Sequence, residues 1–236
     1  MGCFATISAL GAVVTLASGG DDRLTIGTEN AFPPYVMQDE ARGLHGFDVD
    51  LMTEICTRAT FDCRWQVTTF DQLIPGVVEG RYDVVLGGMA ITAERRALVD
   101  FSVSYQESGD TEWFIGHPGA PEPAVAKTAV QAGTRHESYL RAEGYRYRSY
   151  ATEAAALQAL AAGQADLAFG PYTGRPDLDG LFADEGFDWL YDAQLTDEGT
   201  GIAVCKGNVA VLTRLNTALD AMAADGTLDT LESRWF

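Results

Sequence analysis

The stretch RYDVVLGGMAITAERR, residues 81–96, decides how this chain reads. It starts as a strand rich in branched residues. Gly87, Gly88 and Ala90 then leave the backbone almost bare. Thr92 stands where a helix cap belongs, and Arg95 follows three positions later. In open α/β sheets, ligands bind beyond the carboxyl ends of the strands. Gly88 and Ala90 let a small ligand approach the backbone closely. Arg95 can hold a carboxylate with a planar, two-pronged contact. The alternative for Arg95 is a surface arginine on a short helix, and Arg96 beside it reads as solvated.

Outward from this stretch the pattern alternates. RLTIGT (23–28) reads as a strand. GFDVDLMTEICTRA (46–59) sets Phe47, Leu51, Ile55 and Ala59 on one helical face. CRWQVTT is a strand, and FDQLIPGVVEG is a helix entered through Thr69, with Gln72 at capping-box spacing. Strands alternating with helices mean an α/β sheet covered on its faces. The plan then repeats. EGRYDVVLGG (79–88) and AGQADLAFGP (162–171) both run Gly, polar residue, Asp, hydrophobic strand. LTIGTENAFPPY (24–35) is loosely echoed by KTAVQAGTRHESY (127–139). Two α/β lobes of similar design are expected, unless the match is coincidence between generic units. The tail places Leu212, Leu215, Leu219 and Met222 in a helical stripe that reads as core.

Hydrophobic residues make up 47% of the 236, enough for one large core or two small ones. The net charge of −18 argues against nucleic acid, whose phosphates would be repelled, and is consistent with an acidic, salt-adapted surface. Residues 4–17 are almost all apolar or small, too short to span a bilayer comfortably. With the small and then charged residues behind them, they resemble a secretory signal over 1–19, cleaved near Ala17 or Gly19. The missing basic residue in "MGC" leaves a buried N-terminal element as the alternative. Cys3 would leave with the signal. Cys56 ends a helical pattern and Cys63 opens the next strand, so they can approach closely enough for a disulfide or remain two thiols. Cys205 reads as a lone strand residue. No cysteine or histidine pair has metal-ligand spacing, and no cofactor motif is present.

Further candidates lie at the same sheet ends. TENAFPP offers Glu29 and Phe32, and TTFDQ offers Phe70. The two phenylalanines suit opposite walls of a ligand site, or are plain core aromatics. GTRHE (133–137) places Thr134 and Glu137 in a capping box. A helix N-terminus there attracts an anion. His136 is either a ligand contact or a first-turn residue. Asp48 and Asp50 sit at a helix start, where the helix dipole alone explains them. There is no nucleophile elbow, P-loop or other catalytic set.

Taken together, these residues resemble the periplasmic solute-binding proteins of ABC transporters, the polar and amino-acid group, family 3. Residues 46–59 fit the family signature of Gly, aromatic, acid, aliphatic, acid, aliphatic. Residues 70–102 are similar throughout, and GTGIAVCKG and the C-terminal helices also match. The resemblance implies a type II periplasmic-binding-protein clamshell, two similar α/β lobes joined by two hinge strands. Lobe one is expected over 21–112 plus 200–236, and lobe two over 113–199. It implies a periplasmic, monomeric receptor that closes on a small solute and is then recognised by a membrane permease. By the same resemblance Arg95 holds the ligand's α-carboxylate, joined by the Arg135 backbone N–H and the Thr134 hydroxyl. Phe32 and Phe70 are aromatic walls, the Gly88 carbonyl accepts from the amine, and Glu29 meets the distal end. Cys56 and Cys63 resemble a disulfide pair of basic-amino-acid binders.

Three departures bear on the solute. Ala90 stands where the family has Ser or Thr, and Pro171 where it has Asp, so both partners of an α-ammonium are missing. The loops around 119–128 and 172–190 are short for the family. Leaving a buried charge unpaired is costly. The expected solute keeps a carboxylate but carries a substituted or displaced nitrogen. The alternative is an enzyme on the same scaffold, such as a periplasmic cyclohexadienyl dehydratase, with Glu29 and His136 as its only candidate acid–base groups.

Overall fold

The structure, a computed structural model, describes residues 22–107, 109 and 111–236. The signal-like segment and Cys3 lie outside the described residues. The chain opens with β1 (Arg23–Thr28), then β2 (Ala31–Phe32), β3 (Val36–Asp39) and β4 (Gly43–His45), which form a small antiparallel sheet of their own. Next come α1 (Phe47–Arg58), β5 (Asp62–Val67), a 3-10 turn at Phe70–Gln72, α2 (Leu73–Val78), β6 (Val84–Val85), α3 (Ala93–Arg96) and β7 (Asp100–Phe101). A second run follows: β8 (Thr111–Gly116), β9 (Lys127–Gln131), α4 (Arg135–Ala142), β10 (Arg146–Tyr150), α5 (Glu153–Ala161), β11 (Leu167–Gly170), α6 (Asp179–Glu185) and β12 (Asp188–Gln194). The chain then returns through β13 (Ala203–Val204) to α7 (Val209–Ala224) and α8 (Thr227–Trp235).

Two five-stranded sheets result, ordered β5-β1-β6-β13-β7 and β10-β9-β11-β8-β12. In each, three parallel strands meet an antiparallel fourth: β13 pairs with β6, and β8 pairs with β11. The sequence repeat lies on matching elements. Asp83 Oδ2 accepts from Thr25 N at 2.7 Å, and Asp166 Oδ2 accepts from Lys127 N at 2.8 Å. In both lobes an aspartate just before the middle strand ties off the start of its parallel neighbour. That shared tie is why the two stretches look alike.

Each sheet is covered by helices on its faces. Phe47, Leu51 and Ile55 of α1 are fully buried, and pack with Leu24 and Ile26 of β1 and with Leu215, Leu219 and Met222 of α7. Ala59, at the end of that stripe, caps α1 and is only partly buried. The C-terminal helices therefore complete the core begun by β1 and α1. A second lobe core forms around Phe114, Val130, Leu140 and Phe169.

Cys56 and Cys63 form a disulfide, with Cα atoms 6.3 Å apart, joining the end of α1 to β5. Two local expectations are corrected. Thr69 makes no cap: its hydroxyl donates to Asp71 Oδ1 at 2.5 Å, because the chain enters a 3-10 turn rather than an α-helix there. Cys205, just past β13, is not a lone thiol, as no cysteine among the described residues is free.

Candidate functional site

The cleft between the lobes is built from the carboxyl ends of both sheets. It encloses about 330 Å³, at the small end of the roughly 300–1,000 Å³ range of ligand pockets. Glu29, Phe32, Phe70, Gly88, Ala90, Arg95, Thr134 and Arg135 all line it. The loop after β6 is shaped by its glycines. Gly88 has φ +58°, and a Cβ there would stand 2.5 Å from Phe32 Cε1. Its N–H donates to Asp48 Oδ2 at 2.7 Å, while Asp48 Oδ1 accepts from the Tyr105 hydroxyl at 2.9 Å. Asp48 is completely buried. The helix dipole thus does not account for it: Asp48 holds the Gly88 loop in place.

Thr92 caps α3, accepting from Arg95 N at 3.3 Å. Arg95 is buried, and its guanidinium lies 5.3 Å from the centre of the Phe70 ring. Nη1 donates to the Ala90 carbonyl at 2.6 Å and Nη2 to the Gly133 carbonyl at 3.0 Å. Burial, then the neighbouring Arg135, lower its pKa to about 10. A buried guanidinium whose partners are carbonyls retains its full charge, and an anion beside it is strongly favoured.

The second lobe brings the start of α4. The Thr134 hydroxyl accepts from Glu137 N at 3.2 Å, so Thr134 caps α4 as expected, but Glu137 Oε2 accepts from Gly133 N at 2.7 Å, one residue before the cap, and the reciprocal half of a capping box is not made. The start of α4, at Thr134, Arg135 and His136, lines the cleft. The Arg135 side chain is engaged elsewhere, paired with Glu112 and Asp197. His136 is both a first-turn residue and a cleft residue. It is buried, its Nε2 is 3.6 Å from Glu112 Oε1, and neither ring nitrogen has a hydrogen-bond partner among the described residues. Burial lowers its pKa, so the ring is neutral.

At the far end, Glu29 Oε2 accepts from Gln131 Nε2 at 3.2 Å across the lobes. Burial raises the Glu29 pKa to about 7, against the pull of Gln131. Sequence reasoning missed Arg175, which reaches this end from the second lobe. The rule that found the Gly88 loop would have found it, since Arg175 lies five residues beyond the end of β11 in the Gly- and Pro-rich run GPYTGRP (170–176). Tyr35, stacked on Phe32 at 5.0 Å, was missed as well. A larger groove of about 680 Å³ shares Phe70, Arg95 and Arg135 and continues between the lobes along α2, α3 and α4.

The family model of bacterial extracellular solute-binding proteins, family 3, matches residues 24–236. The chain belongs to that family. Among relatives of this family 3 protein, the L-arginine-binding protein of Pseudomonas aeruginosa is 31% identical over 92% of this chain and 88% of its own length. The structure of an ancestral arginine-binding protein bound to arginine has a TM-score of 0.80 and 30% identity, covering 91% of this chain and 98% of that one. An ancestral amino-acid-binding protein described as a precursor of cyclohexadienyl dehydratase has a TM-score of 0.74 and 28% identity, over 91% and 96%. The two-lobed clamshell expected from the sequence is the fold of this family 3 protein.

Proposed function

We propose that this family 3 protein is the substrate-binding component of an ABC importer, and that its cleft takes a small carboxylate-bearing nitrogenous solute, an amino acid or amino-acid derivative. The observation that carries this reading is Arg95, a buried guanidinium held by two carbonyls, one from each lobe. In this reading Arg95 grips the carboxylate, aided by the α4 start at Thr134 and Arg135. Phe32 and Phe70 flank the solute, Gly88 and Ala90 give it a bare wall, and Glu29 meets its far end. Lobe one comprises 21–112 plus 200–236 and lobe two 113–199, hinged where the chain crosses twice between them. The protein works as a periplasmic monomer, needs no cofactor, metal or nucleic acid, and presents its closed form to an inner-membrane permease. Because Ala90 and Pro171 line the cleft without a charge or hydroxyl, a substituted or displaced nitrogen suits it better than a bare α-ammonium.

The test is a thermal-shift panel of amino acids, N-methylated and cyclic amino acids, betaines, opines and simple carboxylates on the wild type and Arg95→Ala. A solute at a thousand times its Kd adds about 4 kcal/mol of stability. A shift from one class that disappears in Arg95→Ala supports the reading, and an equal shift in both proteins rejects it. The second reading, a dehydratase, is favoured by the buried and unpartnered His136 beside Glu112. Product formation from prephenate or arogenate would establish it.

A further inference from the structure

The far end of the cleft is built to receive a cation. Its floor is the face of Phe32, and the buried carboxylates of Glu29 and Glu153 stand beside it. An aromatic face flanked by carboxylates is the environment a guanidinium prefers. The chain supplies that guanidinium itself. Arg175 Cζ lies 5.4 Å from the centre of the Phe32 ring. Its Nε and Nη2 grip Asp177 in a fork at 2.8 and 2.7 Å, and its Nη1 is 3.0 Å from Glu153 Oε1. Arg175 is only 7% exposed. Phe32 comes from β2 of the first lobe and Arg175 from the second lobe, so the contact closes the cleft at that end.

We propose that Arg175 is a specificity-determining residue: a tethered guanidinium that fills the cation-accepting end of the cleft, so that the solute is a compact carboxylate without an extended basic side chain. The inference rests on the carboxylate reading of the Arg95 end, and adds what the opposite end excludes. A lysine or arginine side chain directed along the cleft meets Arg175 already on the ring, with a like charge. The Asp177 fork orients Arg175, and Glu153 holds it from behind.

The experiment compares the wild type, Arg175→Ala and Arg175→Gln by calorimetry and thermal shift, with methylguanidinium and L-arginine as probes. The wild type is expected to respond to neither. Arg175→Ala is expected to be restored in melting temperature by methylguanidinium and to gain L-arginine binding at least about tenfold over the wild type. Arg175→Gln, which keeps part of the side-chain volume, is expected to gain less. Tight L-arginine binding by the wild type overturns the proposal on its own, whether or not the variants fold. So does an Arg175→Ala protein that folds and takes up neither probe. Methylguanidinium has no carboxylate and tests this end alone. If it restores Arg175→Ala while L-arginine binding survives an added Arg95→Ala, the carboxylate reading fails and the role of Arg175 stands.

Discussion

Arg95, rooted in α3, donates through Nη2 to the carbonyl of Gly133, just before α4, at 3.0 Å. One hydrogen bond thus joins α3 to the loop after β9 across the cleft. The approach is close because Gly133 has no side chain. It adopts φ +77°, and a Cβ there would stand 2.6 Å from Asp71 Cα.

Gly133→Ala should therefore impair closure. Backbone strain at positive φ costs about 1 kcal/mol, and the collision with Asp71 keeps the lobes apart. The expected result is a protein that folds but binds its solute at least about tenfold more weakly. Small-angle scattering with saturating solute should show a larger radius of gyration than the wild type. An unchanged radius would mean the lobes accommodate the methyl group.

Asp48 should be worth more than its position at a helix start implies. Replacing it with Ala leaves the part-buried Gly88 N and the buried Tyr105 hydroxyl without their acceptor. The expected loss is roughly 2–4 kcal/mol in urea denaturation. Asp50→Ala is the control, because Asp50 only meets Arg234 and Trp235 near the surface. Equal losses in the two variants would show that Asp48 does not hold the loop.

Glu29 sets a pH dependence. Burial raises its pKa from 4.5 to about 7 in the folded chain, so the folded state binds the proton more tightly than the unfolded state. Its contribution to stability is present below pH 4.5 and is lost as the pH rises through 7. The window amounts to on the order of 3 kcal/mol. Burial also raises Asp48 and Glu153 to about 7, so they share this window, and Glu29→Gln should lessen the fall in stability without abolishing it. Parallel curves for wild type and variant would remove Glu29 as the cause.

The Cys56–Cys63 bridge closes a short loop, with a sequence separation of 7. Chain entropy gives such a loop about 2 kcal/mol of stabilisation. The Cys56→Ser/Cys63→Ser double variant should lose about that much in denaturation, with little change in solute affinity, since neither residue lines the cleft.

The fold was legible in the sequence because its signals are local. Branched strands, the Phe47–Leu51–Ile55 stripe and the repeated Asp before a hydrophobic strand each reflect burial of adjacent residues. The Arg95 loop was legible for the same reason: Gly87, Gly88, Thr92 and Arg95 are neighbours in the chain. What the sequence by itself determined was the α/β order, the two-lobed plan, the caps of α3 and α4, and seven of the residues that line the cleft, with Arg135 added by the family resemblance. Only the tertiary structure decided which distant groups meet there. Asp48 is a helix-start acid until Gly88 and Tyr105 arrive from 40 and 57 residues away. Arg175 is one arginine in a loop until closure sets it over Phe32 between Glu153 and Asp177. Periodicity and capping report the environment of a residue within a turn or a strand. The partner of a buried charge is fixed by how two separate sheets pack, and one-dimensional spacing does not carry that.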